Sequence, residues 1–198
     1  MNILVTGFDP FGGESINPAQ QAVLALPDEV GEKRLFKLVV PTVFGKAAEK
    51  TIEAMDRLRP DAVICVGQAG GRVAVTPERV AINLLDASIP DNAGVQLAEE
   101  PVIPGGPAAY FSTLPVKKMA EAICAAGLPG RVSNSTGTFV CNDLHYRVLH
   151  HAAECMPDVR CCFIHVPYIP DQTVDKPNVF SMEPEDIVRA LTAAIEAI

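Results

Sequence analysis

A cysteine, a histidine and a glutamate, far apart in the chain, are the residues on which chemistry can be built. Cys141 closes the run Ser133-Asn-Ser-Thr-Gly-Thr-Phe-Val-Cys141, a stretch of small residues leading into Asn142 through His151, which reads as a helix. A thiol at a helix start lies against unpaired N–H groups and the positive end of the helix dipole, the setting that favours a thiolate. His165 stands in Cys161-Cys-Phe-Ile-His-Val-Pro167, at the end of an apolar run that reads as a buried strand. A nucleophile on a turn and a base at a strand edge suit thiol catalysis. Glu78, in the turn Val75-Thr-Pro-Glu-Arg79, is either an exposed acid or the carboxylate that orients His165, as the third member of a triad does.

Other residues compete for these roles. His145 follows Cys141 by one helical turn, but a helix-start thiol points out past the N-terminus and the next turn need not reach the same pocket. His150 and His151 read as surface or packing residues. Cys65, Cys161 and Cys162 lie in apolar segments, and Cys124 and Cys155 in helical ones, so they read as core or surface thiols. No C-x-x-C pair exists, so the spacing of a structural zinc site is absent. The glycines at 12–13 and 67–71 match neither G-x-G-x-x-G nor the P-loop. Gln68 and Arg72 either contact a substrate carbonyl or satisfy their own loop. Phe8 and Phe11, flanking Asp9-Pro10, either clasp a small flat ring or cap the core.

The elements that must position these groups follow from periodicity. Strands are read at 2–7, Leu35–Val40, Ala62–Val66, 80–85, Arg131–Ser133 and Arg160–Val166. Helices are read from Asn17-Pro18 to about Leu26, over 45–58, and over Lys117–Ala126. Another starts at Cys141, and the last begins near Ser181 with the stripe Ile187, Leu191, Ile195 and Ile198. Residues 86–115 form a long Pro- and Gly-rich excursion. Apolar strands alternating with amphipathic helices predict a three-layer α/β/α sandwich with a mixed, largely parallel central sheet. Ligands bind beyond the carboxyl ends of such strands, where Phe8, Gln68, Phe139 to Cys141 and His165 would gather.

At 198 residues and 48% hydrophobic, the chain can bury a core without crosslinks, and nothing divides residues 1–198 into more than one domain. The net charge of −8 argues against nucleic acid and anionic membranes as partners. The N-terminus lacks the basic lead and long apolar run of a signal peptide, and prolines break the uncharged span 101–116. A cytoplasmic protein with reduced thiols is expected.

These segments resemble the pyroglutamyl peptidase I family along essentially the whole chain. The shared blocks are Thr6-Gly-Phe-Asp-Pro-Phe-Gly-Gly13, Val40-Pro-Thr-Val-Phe44, Val66-Gly-Gln-Ala-Gly-Gly-Arg72, Pro77-Glu-Arg-Val-Ala-Ile-Asn83, Ile89-Pro-Asp-Asn92, Gly137-Thr-Phe-Val-Cys-Asn142 and Phe163-Ile-His-Val-Pro167. The resemblance implies a cysteine peptidase that removes an N-terminal pyroglutamyl residue from peptides, with no metal or cofactor, and a homotetramer. It implies Cys141 as nucleophile, His165 as base and Glu78 as orienting carboxylate. Phe8, Phe11, Thr42, Ile89, Phe139 and Val140 would surround the lactam ring, and Gln68 would make a polar contact to the substrate. Two positions depart from the family pattern. Ser88 stands where an arginine supporting the oxyanion is usual, and Asp143 where a histidine is common, so that like charge would raise the thiol's pKa. The rival readings are an impaired relative that only binds pyroglutamyl peptides, and a nucleoside phosphorylase-like transferase.

Overall fold

The computed structural model describes residues 1–198. Its elements run β1 (Asn2–Phe8), α1 (Pro18–Ala25), β2 (Glu29–Val30), β3 (Lys33–Val40), α2 (Lys46–Leu58), β4 (Ala62–Gln68), β5 (Thr76–Glu78), β6 (Val80–Ile82), β7 (Ala109–Phe111), α3 (Val116–Ala125), α4 (Val140–Cys155), β8 (Arg160–Val166) and α5 (Pro184–Glu196). The main sheet has the order β2-β3-β1-β4-β8-β5. Strands β3, β1, β4 and β8 are parallel, and the short β2 and β5 close the two edges antiparallel.

Period-two alternation sorts the sheet into two faces. Ile3, Val5, Ile64, Val66, Cys162 and Ile164 pack with α1, α3 and α5. Leu4, Phe8, Val63, Cys65, Cys161 and Phe163 pack with α2 and α4. The result is the expected α/β/α sandwich, and the alternation puts His165 on the same face as Phe163, beneath α4.

Several elements differ from the sequence reading. The strands β2 and β5 are too short for periodicity to reveal, and β7 lies inside the long excursion, paired with β6. Residues 131–133 form no strand. They touch β5 and the segment before it only through isolated bridges at Val75–Gly130 and Glu78–Ser133. The strand read over 80–85 stops at Ile82, where Asn142 takes over the backbone groups of residues 82 and 84. The final helix starts at Pro184 rather than Ser181 and ends before Ile198.

Candidate active site

Cys141 is the second residue of α4, which starts at Val140, two residues before Asn142. The N-cap residue, Phe139, offers no side-chain acceptor, so the first amides of the helix remain available as donors. The sulfur sits over β4 at Gly67. A Cβ at that glycine would lie 3.0 Å from Sγ and 2.7 Å from the Phe163 ring, so only glycine lets the helix start approach the sheet this closely. Gly67 is in turn the register partner of His165 on β8. Gly67 thus brings the start of α4, with Cys141, against the strand end beside His165.

His165 is 4% exposed, and its Nδ1 lies 2.6 Å from Glu78 Oε1. Glu78 is not an exposed turn acid. It lies in β5, fully buried, with its backbone paired against Phe163. Burial alone would raise its carboxyl, but the hydrogen bond and charge of His165, a bond from Ser133 and the charge of Arg72 together hold it below the usual carboxylate range. An ionised Glu78 makes Nδ1 the donor, which leaves Nε2 as the imidazole's free base.

The surroundings of the thiol oppose its ionisation, against the pull of the helix start. Burial first, and then the Glu78 carboxylate, push Cys141 up to about 12, while Arg72 and the residue's own N–H pull the other way. Burial likewise lowers His165, against the opposing pull of Glu78. Burial thus disfavours the charged form of both partners.

Asp143 has no part in raising the thiol's pKa. Its carboxylate accepts from the amide of Gly45, which caps α2, and from Nε of Arg147 at 2.6 Å. His145 is buried on α4 with both ring nitrogens engaged, Nδ1 with Thr136 and Nε2 with Ser112. Asn142, unremarked in the sequence, pins β6 to α4 through three bonds to residues 82 and 84.

At the N-cap of α4, Phe139 packs against Phe11 at 6.0 Å and edge-on to Phe44 at 5.4 Å. Ile89 is exposed and faces Gly12, and the two segments line a cavity of about 520 Å³. Phe8 is buried on Phe163 and backs the cleft, and Val140 is buried in the same core. Thr42 is buried too, with its hydroxyl and amide both bound to Asp9. Asn92 ties the same aspartate to the 89–92 segment, so three loops are locked around one carboxylate. Gln68 accepts from Gln172 at 2.9 Å, and its own amide hydrogens remain to be given. Arg72 reaches Glu78, Thr76 and the Ser135 carbonyl, a role that its loop position did not reveal. No three His, Cys, Asp or Glu side chains gather in a way that could hold a metal, and no helix is long and apolar enough to cross a membrane.

The family model described as pyroglutamyl peptidase matches residues 1–198. A pyrrolidone-carboxylate peptidase of Levilactobacillus brevis is 54% identical over all of this chain and 97% of its own length. One of Lactobacillus johnsonii is 52% identical over all of this chain and 92% of its own. Among solved structures, pyroglutamyl peptidase I of Bacillus amyloliquefaciens superposes with a TM-score of 0.94 at 47% identity, covering 99% of this chain and 95% of that one. A mutant pyrrolidone carboxyl peptidase of Pyrococcus furiosus gives 0.95 at 44%, covering 100% and 97%. The chain belongs to the pyroglutamyl peptidase family.

Proposed function

We propose that this chain, as one catalytic unit over residues 1–198, hydrolyses the N-terminal pyroglutamyl (5-oxoprolyl) residue from peptides, with Cys141 as nucleophile, His165 as base and Glu78 as the carboxylate that fixes the imidazole. Family membership supports the activity. The observation that carries the residue roles is the stack at the sheet edge: Cys141 Sγ against Gly67, and Gly67 paired with a His165 whose Nδ1 is tied to buried Glu78.

The reaction starts from a neutral thiol and a neutral imidazole. As Sγ adds to the carbonyl joining pyroglutamate to the next residue, its proton passes to His165 Nε2. The oxyanion formed accepts from the free N–H of Cys141. Glu78 stays ionised and stabilises the imidazolium. His165 then gives its proton to the departing amine as the C–N bond breaks, which leaves a pyroglutamyl thioester. Water, deprotonated by Nε2, adds to that thioester. Collapse releases pyroglutamate and returns the proton to sulfur.

The slot explains the substrate. A lactam is compact and uncharged, so Phe11, Phe139 and Ile89 can hold its faces, backed by Phe8, Thr42 and Val140, while Gln68 donates to a carbonyl. A glutamyl residue would bring an ammonium and a carboxylate into the same apolar space without partners, at a large desolvation cost. By the same family resemblance, the enzyme works in the cytoplasm as a homotetramer.

Cys141→Ser tests the reading. Release of a chromophore from a pyroglutamyl amide should be abolished with the melting temperature unchanged, and retained turnover would remove Cys141 from the reaction.

A further inference from the structure

We propose that Arg72 is the positioning residue of this site, its guanidinium framing the buried Glu78 carboxylate so that Oε1 is held on His165 Nδ1. The inference rests on the roles of Glu78 and His165 given above. A fully buried carboxylate needs compensation, and the short hydrogen bonds that Glu78 receives both fall on Oε1. Oε1 accepts both from Arg72 Nη1 and from His165 Nδ1, whereas Oε2 has no bond to any group within normal reach. With Arg72 gone, only the imidazole itself and the Ser133 side chain would be left to steady the carboxylate.

Arg72 is itself fixed at three points. Besides Glu78 it donates to Thr76 Oγ1 at 2.5 Å and, through Nη2, to the Ser135 carbonyl at 3.2 Å. It therefore joins the loop after β4, the strand carrying Glu78 and the segment leading to Cys141. A planar fork can make these three contacts in fixed directions, and a lysine ammonium cannot.

Its charge acts on each member of the site. The ionisable groups that face Glu78 are His165 on β8, Arg72 itself, and Cys141 and His145 on α4. Arg72 lowers the Glu78 carboxyl, the Cys141 thiol and the His165 imidazole alike. Its removal should move all three upward, so the acid limb of kcat/KM shifts to higher pH.

The outer side of the guanidinium opens on a polar groove of about 510 Å³ lined by Thr76, Arg131, Ser133, Asn134 and Ser135, with no carboxylate among its walls. The Arg72 side chain is 26% exposed there. A free guanidinium ion can enter by this route and occupy the space that a truncated residue 72 vacates.

The test compares Arg72→Ala and Arg72→Lys with wild type on a pyroglutamyl amide, and separately follows iodoacetamide alkylation of Cys141 against pH. Arg72→Ala should lose about 10- to 100-fold in kcat, the scale of outer-shell orienting groups, with KM within about twofold. Its acid limb should rise, and guanidinium chloride at millimolar concentration, but not urea, should restore turnover saturably. Arg72→Lys should recover only part of the loss, and should carry the test by the same readouts if the alanine variant fails to fold.

An unchanged kcat and pH profile, a change in KM alone, a loss that guanidinium leaves untouched, or full activity in the lysine variant would each overturn the proposal. Alkylation needs no substrate, so it separates the two claims. A shifted alkylation profile in an enzyme that releases no chromophore would retire the substrate and keep Arg72. An unshifted profile in an active enzyme would do the reverse.

Discussion

The ring of Phe163 is flanked by two buried histidines, His145 on α4 at 5.7 Å and His165 on β8 at 4.7 Å, and their surroundings differ in what is left open. His145 has a hydroxyl on each ring nitrogen and no access to solvent. His165 has one nitrogen bound by a carboxylate and no hydrogen-bond partner on the other. Burial lowers both imidazoles, but only His165 has an acid bonded to it that favours the cation. Depth does not distinguish the imidazole proposed as base from its neighbour. A lone pair left unspent does.

The strongest way to break this comparison is to exchange the fates of the two residues. His165→Ala should lower kcat by about 10³-fold or more, as removal of a triad base does. His145→Gln should leave turnover near wild type. The same chromogenic assay reads both, and a large loss in the second with a small loss in the first would make His145 the base. Glu78→Gln comes next, at about 10²- to 10⁴-fold in kcat. An amide can donate to Nδ1 and force the proton onto Nε2, the tautomer that cannot accept from sulfur. An intact KM alongside that loss would place the effect in the proton transfer rather than in binding.

How much of this was legible in the sequence depends on whether a residue's role is local. The parallel strands and their flanking helices announce themselves by period, and so does the meeting of Cys141 and His165 at the carboxyl edge. Local pattern alone leaves Glu78 open between a turn acid and the orienting carboxylate, because β5 spans three residues and owes its existence to pairing with β8 rather than to any pattern of its own. Arg72 was ambiguous for the same reason, since its partners are brought by strand packing and by a segment more than sixty positions away. The burial of the thiol is not legible in the sequence, because a helix dipole is a local property, whereas desolvation depends on what the fold stacks above the sulfur. Asp143 was assigned to the thiol by adjacency, yet on a helix neighbouring residues point apart.

A second contrast sets the buried pair beside the exposed loop at residue 88. Arg72 is the one cation whose charge lowers the thiol, and the family's usual arginine is replaced by exposed Ser88. The loop is well fixed. Asp91 accepts from the amides of Phe44, Ala93 and Val95, so a new side chain at 88 would project from a set backbone. Ser88→Arg is expected to raise kcat by about tenfold, short of the roughly 10²- to 10³-fold that a fully formed oxyanion donor contributes. No rise would mean that the helix-start N–H already meets the whole demand.

The smallest effect on activity is expected where the comparison began, and it should appear in stability instead. Burial holds His145 down at about 3, with Glu78 pulling it up and His165 pushing it down. An unfolded chain would protonate that residue near histidine's ordinary 6.5. Below that pH the unfolded state therefore binds the extra proton, and stability is lost as pH falls from about 6.5 toward about 3. His165 and Glu78, both lowered, destabilise the fold in acid with the same sign. His145→Gln should cost about 1–3 kcal/mol at neutral pH through imperfect bonds to Thr136 and Ser112. It should also flatten the fall in melting temperature between neutrality and about pH 5, leaving the remainder to His165. An unaltered slope would show that His145 takes up its proton in the folded protein. A second imidazole beside Phe163 would then be competent to exchange protons, and the distinction between the two histidines would fail at its premise.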